Sequence, residues 1–220
     1  MSYRAYKWGH QEEAPYQKII TVNIIASTYS HNFKLIFLIP SMLHESVHTA
    51  MTRTIYLAKY LFTRLKQQGV RKVYGVPGDY TLKAIDHLKQ SGLQWISNCN
   101  ELNAGYAADG SARITGLSAL FTTHGVGELS AINAVAGSYA EHVPVMHVVG
   151  SPSMRLQESG AVLHHTLGNG RNGVFREMRG KVTVVCSALW DARTALQVID
   201  DSIVKCLRVV LIVVCDHAGS

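Results

Sequence analysis

The segment LSALFTTHGVGELSAINAVAGSYAEHVPVMHVVG, residues 117–150, reads as strand, loop, helix, strand. LSALFTT (117–123) is an apolar run of strand length, and HGVG (124–127) breaks it. ELSAINAVAGSYAEH (128–142) has the small-residue content of a closely packed helix, and VPVMHVVG (143–150) is a second apolar run. Two near-continuous apolar strands joined by a helix form the unit of a parallel sheet covered on both faces.

The same alternation extends in both directions. Upstream, Ile55, Leu57, Leu61 and Leu65 recur at helical spacing before Gly69. RKVYGV (71–76) is a strand, and PGD (77–79) turns the chain. Leu82, Ile85 and Leu88 mark a second helix that stops at Gly92. LQWIS (93–97) is a strand, and Asn100 is a natural N-cap for the helix after it. Downstream, a loop-rich stretch (151–173) precedes a strand KVTVVC (181–186), a helix over 191–207 and a strand VVLIVV (209–214). The expected fold is α/β: a three-layer parallel sheet with helices on both faces. Its domain spans 51–208. A poorly patterned extension (1–50) precedes it and an atypical tail (209–220) follows.

Composition narrows the function classes. The chain has 220 residues, 47% of them hydrophobic, enough for a packed core. The net charge is +6, but no Lys/Arg-rich run points to nucleic acid. The four cysteines, Cys99, Cys186, Cys206 and Cys215, have no Cys-x-x-Cys spacing and read as reduced thiols. No apolar run approaches the ~20 residues of a membrane helix. A cytoplasmic protein with no membrane or nucleic-acid partner is the expectation.

Three short motifs have weak contexts. HESVH (44–48) fits the zinc-protease pattern His-Glu-x-x-His, but lies in the poorly patterned extension. GNGRNG (168–173) fits Gly-x-Gly-x-x-Gly, but HHTL precedes it where a dinucleotide fold needs a strand. ADGSAR (108–113) contains Asp-Gly-Ser, yet falls inside a helix. No metal ligand set is assigned.

Ligand sites in parallel sheets lie at the carboxyl ends of the strands. Three loops there carry polar residues: Pro77–Asp79, Asn98–Glu101 and Thr122–Gly127. Glu101 falls in the first turn of a helix leaving a strand. A carboxylate is favoured there by the helix dipole. If covered by a partner surface, it would also hold its proton more tightly and could share it with a ligand. In LHHTLGNG (163–170) the adjacent His164 and His165 lie in a loop, and adjacent residues point different ways on most backbones.

Four segments together, GVPGDYTLKAID, NCNELNAGYAADGSARITG, TTHGVGELSAINAVAGSYAEHVPVMHVVGSPS and LHHTLGNG, resemble the first domain of pyruvate and indolepyruvate decarboxylases. The resemblance implies a thiamine-diphosphate-dependent decarboxylation of a 2-oxo acid to an aldehyde and CO2. It also implies a homo-oligomer, dimer or tetramer, with the cofactor between domains of different subunits. One domain holds the aminopyrimidine ring; another holds the diphosphate through Mg2+. Glu101 matches the glutamate that hydrogen-bonds the pyrimidine ring nitrogen. Asp79, His164 and His165 match groups that orient the substrate and relay protons. Pro77, Gly78, Thr123, Gly125, Val126 and Gly127 match cofactor-side positions.

Some residues depart from that pattern. His124 replaces the usual Phe, Ser111 replaces an aromatic, and Arg171 and Asn172 replace a more acidic stretch. RVVLIVVCDHAGS (208–220) also differs, and no Gly-Asp-Gly…Asn-Asn diphosphate loop occurs in the 220 residues. The expectation is a pyrimidine-binding domain that is catalytically incomplete alone. The alternative is a non-catalytic truncated domain that only associates with intact subunits.

Overall fold

The computed structural model describes residues 23–26, 35–38, 55–209 and 212–217, with side chains described from 55 to 208. The Ile-rich pieces of the N-terminal stretch supply β1 (Asn23–Ala26) and β2 (Leu35–Leu38), which pair antiparallel. The domain proper starts with α1 (Leu57–Gln67), whose Leu61, Phe62 and Leu65 are buried at helical spacing. Gly69 follows with φ +91, a conformation that favours glycine and turns the chain into β3 (Lys72–Gly75). Next come α2 (Leu82–Gln90), β4 (Gln94–Ser97), α3 (Glu101–Thr115), β5 (Ser118–Thr123), α4 (Val126–Ala140) and β6 (Val145–Ser151). The short helices α5 (Met154–Glu158) and α6 (Val174–Arg179) flank the loop-rich stretch. The series ends with β7 (Val185–Ala188), α7 (Ala192–Val209) and β8 (Ile212–His217).

Strands β3 to β8 form one six-stranded sheet in the order β4-β3-β5-β6-β8-β7, and every pairing in it is parallel. β5 and β6, in the middle, are buried along their whole length. Alternate side chains feed two cores. Ala119, Phe121, Met146 and Val148 pack with α1, α2 and α7 on one face. Leu120 and Val145 pack with Ala104, Ala108, Ala131 and Val135 of α3 and α4 on the other. These are the three layers expected from the sequence.

Several boundaries differ from the sequence reading; the strand placed at 209–214 occupies Ile212–His217, as α7 runs on to Val209. α4 starts at Val126 rather than Glu128, because the Gly125 N–H donates to the Glu128 carboxylate and closes the first turn early. The strand placed at 181–186 occupies Val185–Ala188 instead. The Val182 N–H and the Thr183 hydroxyl both turn back to the Arg179 carbonyl, which keeps 182–183 out of the sheet.

Candidate functional site

The loops after β3, β4 and β5 lie side by side because their strands are in register, with Gly75 opposite Ser97 on one side and Phe121 on the other. Asn100 has extended backbone, and its side-chain oxygen accepts from the Asn103 N–H at 2.8 Å. That cap starts α3 and sets Glu101 at its positive end, half-buried. The first turn of α4 runs against this carboxylate. A Cβ on Gly127 would lie 3.1 Å from Glu101 Oε1 and 2.9 Å from Thr123 Cγ2. A Cβ on Gly78 would lie 2.6 Å from Thr123 Cβ. Gly78, Thr123, Gly127 and Glu101 are therefore contiguous, and the two glycines let backbone close in on Thr123 and the carboxylate. Thr123 is buried, and its hydroxyl has no hydrogen-bond partner among the described residues. Pro77 and Val126 are exposed at the rim.

The second group is Asp79, Tyr80, His164 and His165. His164 Nε2 contacts Asp79 Oδ2. The Tyr80 ring stacks on the His164 ring, centroids 4.8 Å apart and 7° from parallel. The Tyr80 hydroxyl donates to the His164 carbonyl at 3.3 Å and lies 3.5 Å from Nδ1 of its ring. Burial, and then the charge of Asp79, raise the Tyr80 hydroxyl pKa above its ordinary value, so it remains a donor at neutral pH. The sequence reading had adjacent histidines diverging. Instead His165 takes φ +62, and the two rings meet with centroids 4.8 Å apart. Gly125, itself at φ +66, lies so close to the His165 carbonyl that a Cβ would come within 1.8 Å of that oxygen. The histidine loop thus rests on the same turn that leads to Gly127 and Glu101.

Behind this turn lie residues the sequence reading missed. Glu128 and Arg179 are both buried and form an ion pair. Glu128 Oε1 also accepts the Gly125 N–H at 2.9 Å, so the pair fixes the turn from below. Gly-Val-Gly-Glu, with an acidic residue three after a glycine at a strand end, was the available signal; nothing local marks Arg179. Tyr80, directly after the Pro-Gly-Asp turn, was also unassigned. His124 is buried edge-to-face against Phe175 and Tyr80, which accounts for an aromatic ring at that position. His147 lies in the middle of the sheet, 2.8 Å from the Thr122 hydroxyl, and burial lowers its pKa to about 3.

HESVH (44–48) lies outside the described residues. No strand directly precedes GNGRNG; Gly168 and Gly170 there have φ +69 and +73, as in a turn. ADGSAR lies inside α3. Cys99, Cys186 and Cys206 form no disulfide.

Residues 55–174 match the family described as thiamine pyrophosphate enzyme, N-terminal TPP binding domain. The chain is 54% identical over 156 residues to a pyruvate decarboxylase of Aspergillus fumigatus, covering 71% of this chain and 27% of the relative. It is 55% identical over 147 residues to pyruvate decarboxylase isozyme 3 of Saccharomyces cerevisiae, covering 66% and 26%. Against a putative pyruvate decarboxylase of Schizosaccharomyces pombe it is 50% identical over 161 residues, covering 72% and 28%. The chain spans about a quarter of the length of these relatives. With its parallel sheet, its glycine-lined carboxylate and a match over more than half of its residues, the chain belongs to the family of thiamine pyrophosphate enzyme N-terminal TPP-binding domains.

Proposed function

We propose that this domain holds the aminopyrimidine half of thiamine diphosphate for a pyruvate-decarboxylase-type enzyme that splits a 2-oxo acid into an aldehyde and CO2. The observation that carries this reading is the Glu101 carboxylate at the carboxyl end of the sheet, with Gly127 and Thr123 so close that a Cβ on Gly127 would lie 3.1 Å from its Oε1. The buried Thr123 hydroxyl, without a partner among the described residues, is a second group suited to a polar ring. These residues fit a flat heterocycle with a nitrogen that accepts or donates a proton.

When bound, the cofactor supplies the electron sink for decarboxylation. Glu101 hydrogen-bonds a ring nitrogen through its carboxyl and shares a proton there. Gly78 and Gly127 let backbone approach the ring, and Gly125 and Val126 shape the turn around it. Asp79, His164 and His165 orient the 2-oxo acid and pass protons to the product side, with Tyr80 holding the His164 ring in plane. Because the 220 residues contain no Gly-Asp-Gly…Asn-Asn loop, the diphosphate and its Mg2+ are assigned to another domain, met across the subunit contact of a dimer or tetramer. On this reading the chain alone has no appreciable decarboxylase activity. Among the described residues no helix is long and apolar enough to cross a membrane, which is compatible with the proposed cytoplasmic location.

Two measurements test the reading. The chain alone should bind thiamine diphosphate and Mg2+ only weakly by calorimetric titration. A chain joined to the remaining domains of a relative should decarboxylate pyruvate, and Glu101→Gln should lower that rate about 10²-fold or more. Near-normal turnover by the variant refutes the role of Glu101. An inert joined chain that still assembles with intact subunits favours a non-catalytic partner domain.

A further inference from the structure

We propose that Asp79, His164 and His165 form a site for a divalent transition-metal ion of the zinc type, separate from the Mg2+ that accompanies a diphosphate. One ligand atom from each of the three residues lies within 4.8 Å of the others. Bonds from zinc to imidazole nitrogen or carboxylate oxygen are about 2.0–2.2 Å, which puts neighbouring ligands of a tetrahedral ion about 3.4 Å apart. Side-chain rotations that part His164 Nε2 from Asp79 Oδ2 and bring His165 nearer would meet that spacing. Two imidazoles and one carboxylate suit Zn2+, Co2+ or Ni2+; Mg2+ and Ca2+ prefer oxygen ligands throughout.

Three further observations separate this group from a chance surface cluster. The left-handed backbone of His165, φ +62, is a conformation that non-glycine residues rarely adopt, and with it the two rings meet with centroids 4.8 Å apart. His165 Nδ1 is buried and has no hydrogen-bond partner among the described residues. The Tyr80 ring lies flat on His164 and its hydroxyl faces His164 Nδ1, which turns Nε2 toward Asp79 Oδ2, the two atoms being in contact. Such support of a ligating imidazole by a neighbouring group is usual at metal sites. Asp79 and His164 are about half exposed, so an ion can reach them and keep water in its remaining positions. A bound ion would occupy the atoms to which substrate orientation is assigned above and would compete with a 2-oxo acid. The site itself rests on the ligand geometry and stands whether or not that assignment holds.

The test uses the whole 220-residue chain. Zn2+ is titrated in competition with a chromophoric chelator near neutral pH, and Co2+ is followed by visible absorption. One equivalent should bind with the spectrum of nitrogen and oxygen ligands. His165→Gln and Asp79→Asn should each weaken that equivalent by about 10-fold or more. His44→Gln/His48→Gln, which removes the histidines of the His-Glu-x-x-His sequence, should leave it in place. Equal affinity in wild type, His165→Gln and Asp79→Asn overturns the proposal, as does a thiolate-to-cobalt charge-transfer band on the tight equivalent. If either site variant unfolds, the imidazole NMR signals of His164 and His165 in the wild-type chain decide. Shifts on the first equivalent of Zn2+ support the site, and unmoved signals overturn it.

Discussion

The ion pair beneath the Gly125 turn offers the sharpest test of the energetics. Glu128 and Arg179 side chains are each 2% exposed, so bulk solvent screens neither charge. Glu128→Gln keeps an oxygen for the Gly125 N–H but removes the negative charge that faces the buried Arg179 guanidinium. Removing one member of a buried pair costs about 3–5 kcal/mol. Because one hydrogen bond survives, Glu128→Gln should fall near the lower end, at about 3 kcal/mol. Arg179→Met should cost somewhat less, since the Glu128 carboxylate keeps the Gly125 N–H and has His124 Nδ1 3.5 Å away. The double variant buries no charge and should lose only about 1 kcal/mol, far less than the sum of the singles. Urea unfolding of the four proteins, followed by circular dichroism, measures all three differences. An additive double variant, or single losses under about 1 kcal/mol, would show that the two charges do not depend on each other and refute the reasoning.

Stability should fall on acidification through His147. With its pKa lowered from 6.5 to about 3, it adds nothing above pH 6.5, and below that the unfolded chain binds the extra proton. The slope attributable to it approaches about 1.4 kcal/mol per pH unit between those values, and His147→Gln should remove that component from a pH series of unfolding curves. Asn100→Ala should cost about 1 kcal/mol by loss of the cap that starts α3, measured by thermal unfolding. Gly125→Ala should cost more than about 2 kcal/mol, because its φ of +66 disfavours a side chain and the new methyl would overlap the His165 carbonyl; a neutral result would contradict that packing.

What the sequence made legible was what local chemistry decides. Asn100 could be read as a cap, and Gly69 as the stop after α1, because each acts on its immediate neighbours. The central strands were legible because burial on both faces leaves unbroken apolar runs at 118–123 and 145–151. The strand at 181–186 was misplaced for the same reason: Val182 and Val184 look like sheet residues, yet pack against the α3–α4 core from outside the strand. The loops bearing Asp79, Glu101 and Gly127 were found by their place after strands. The joint arrangement of His164 and His165 was not, since it depends on one backbone angle at His165. Nor was Arg179, whose partner lies on a different helix far along the chain.

The strand order has a consequence for how the molecule is made. β8 lies between β6 and β7, yet it is translated after both. While synthesis runs from the N-terminus, β4, β3, β5 and β6 can zip together as their residues emerge, but β7 cannot yet join them. Its neighbour in the sheet, residues 212–217, has still to leave the ribosome. During that interval one edge of β6 stays open, the condition under which nascent chains pair wrongly or recruit chaperones. Insertion of β8 into a slot between two strands made before it then becomes a late, non-local event in the folding of this sheet.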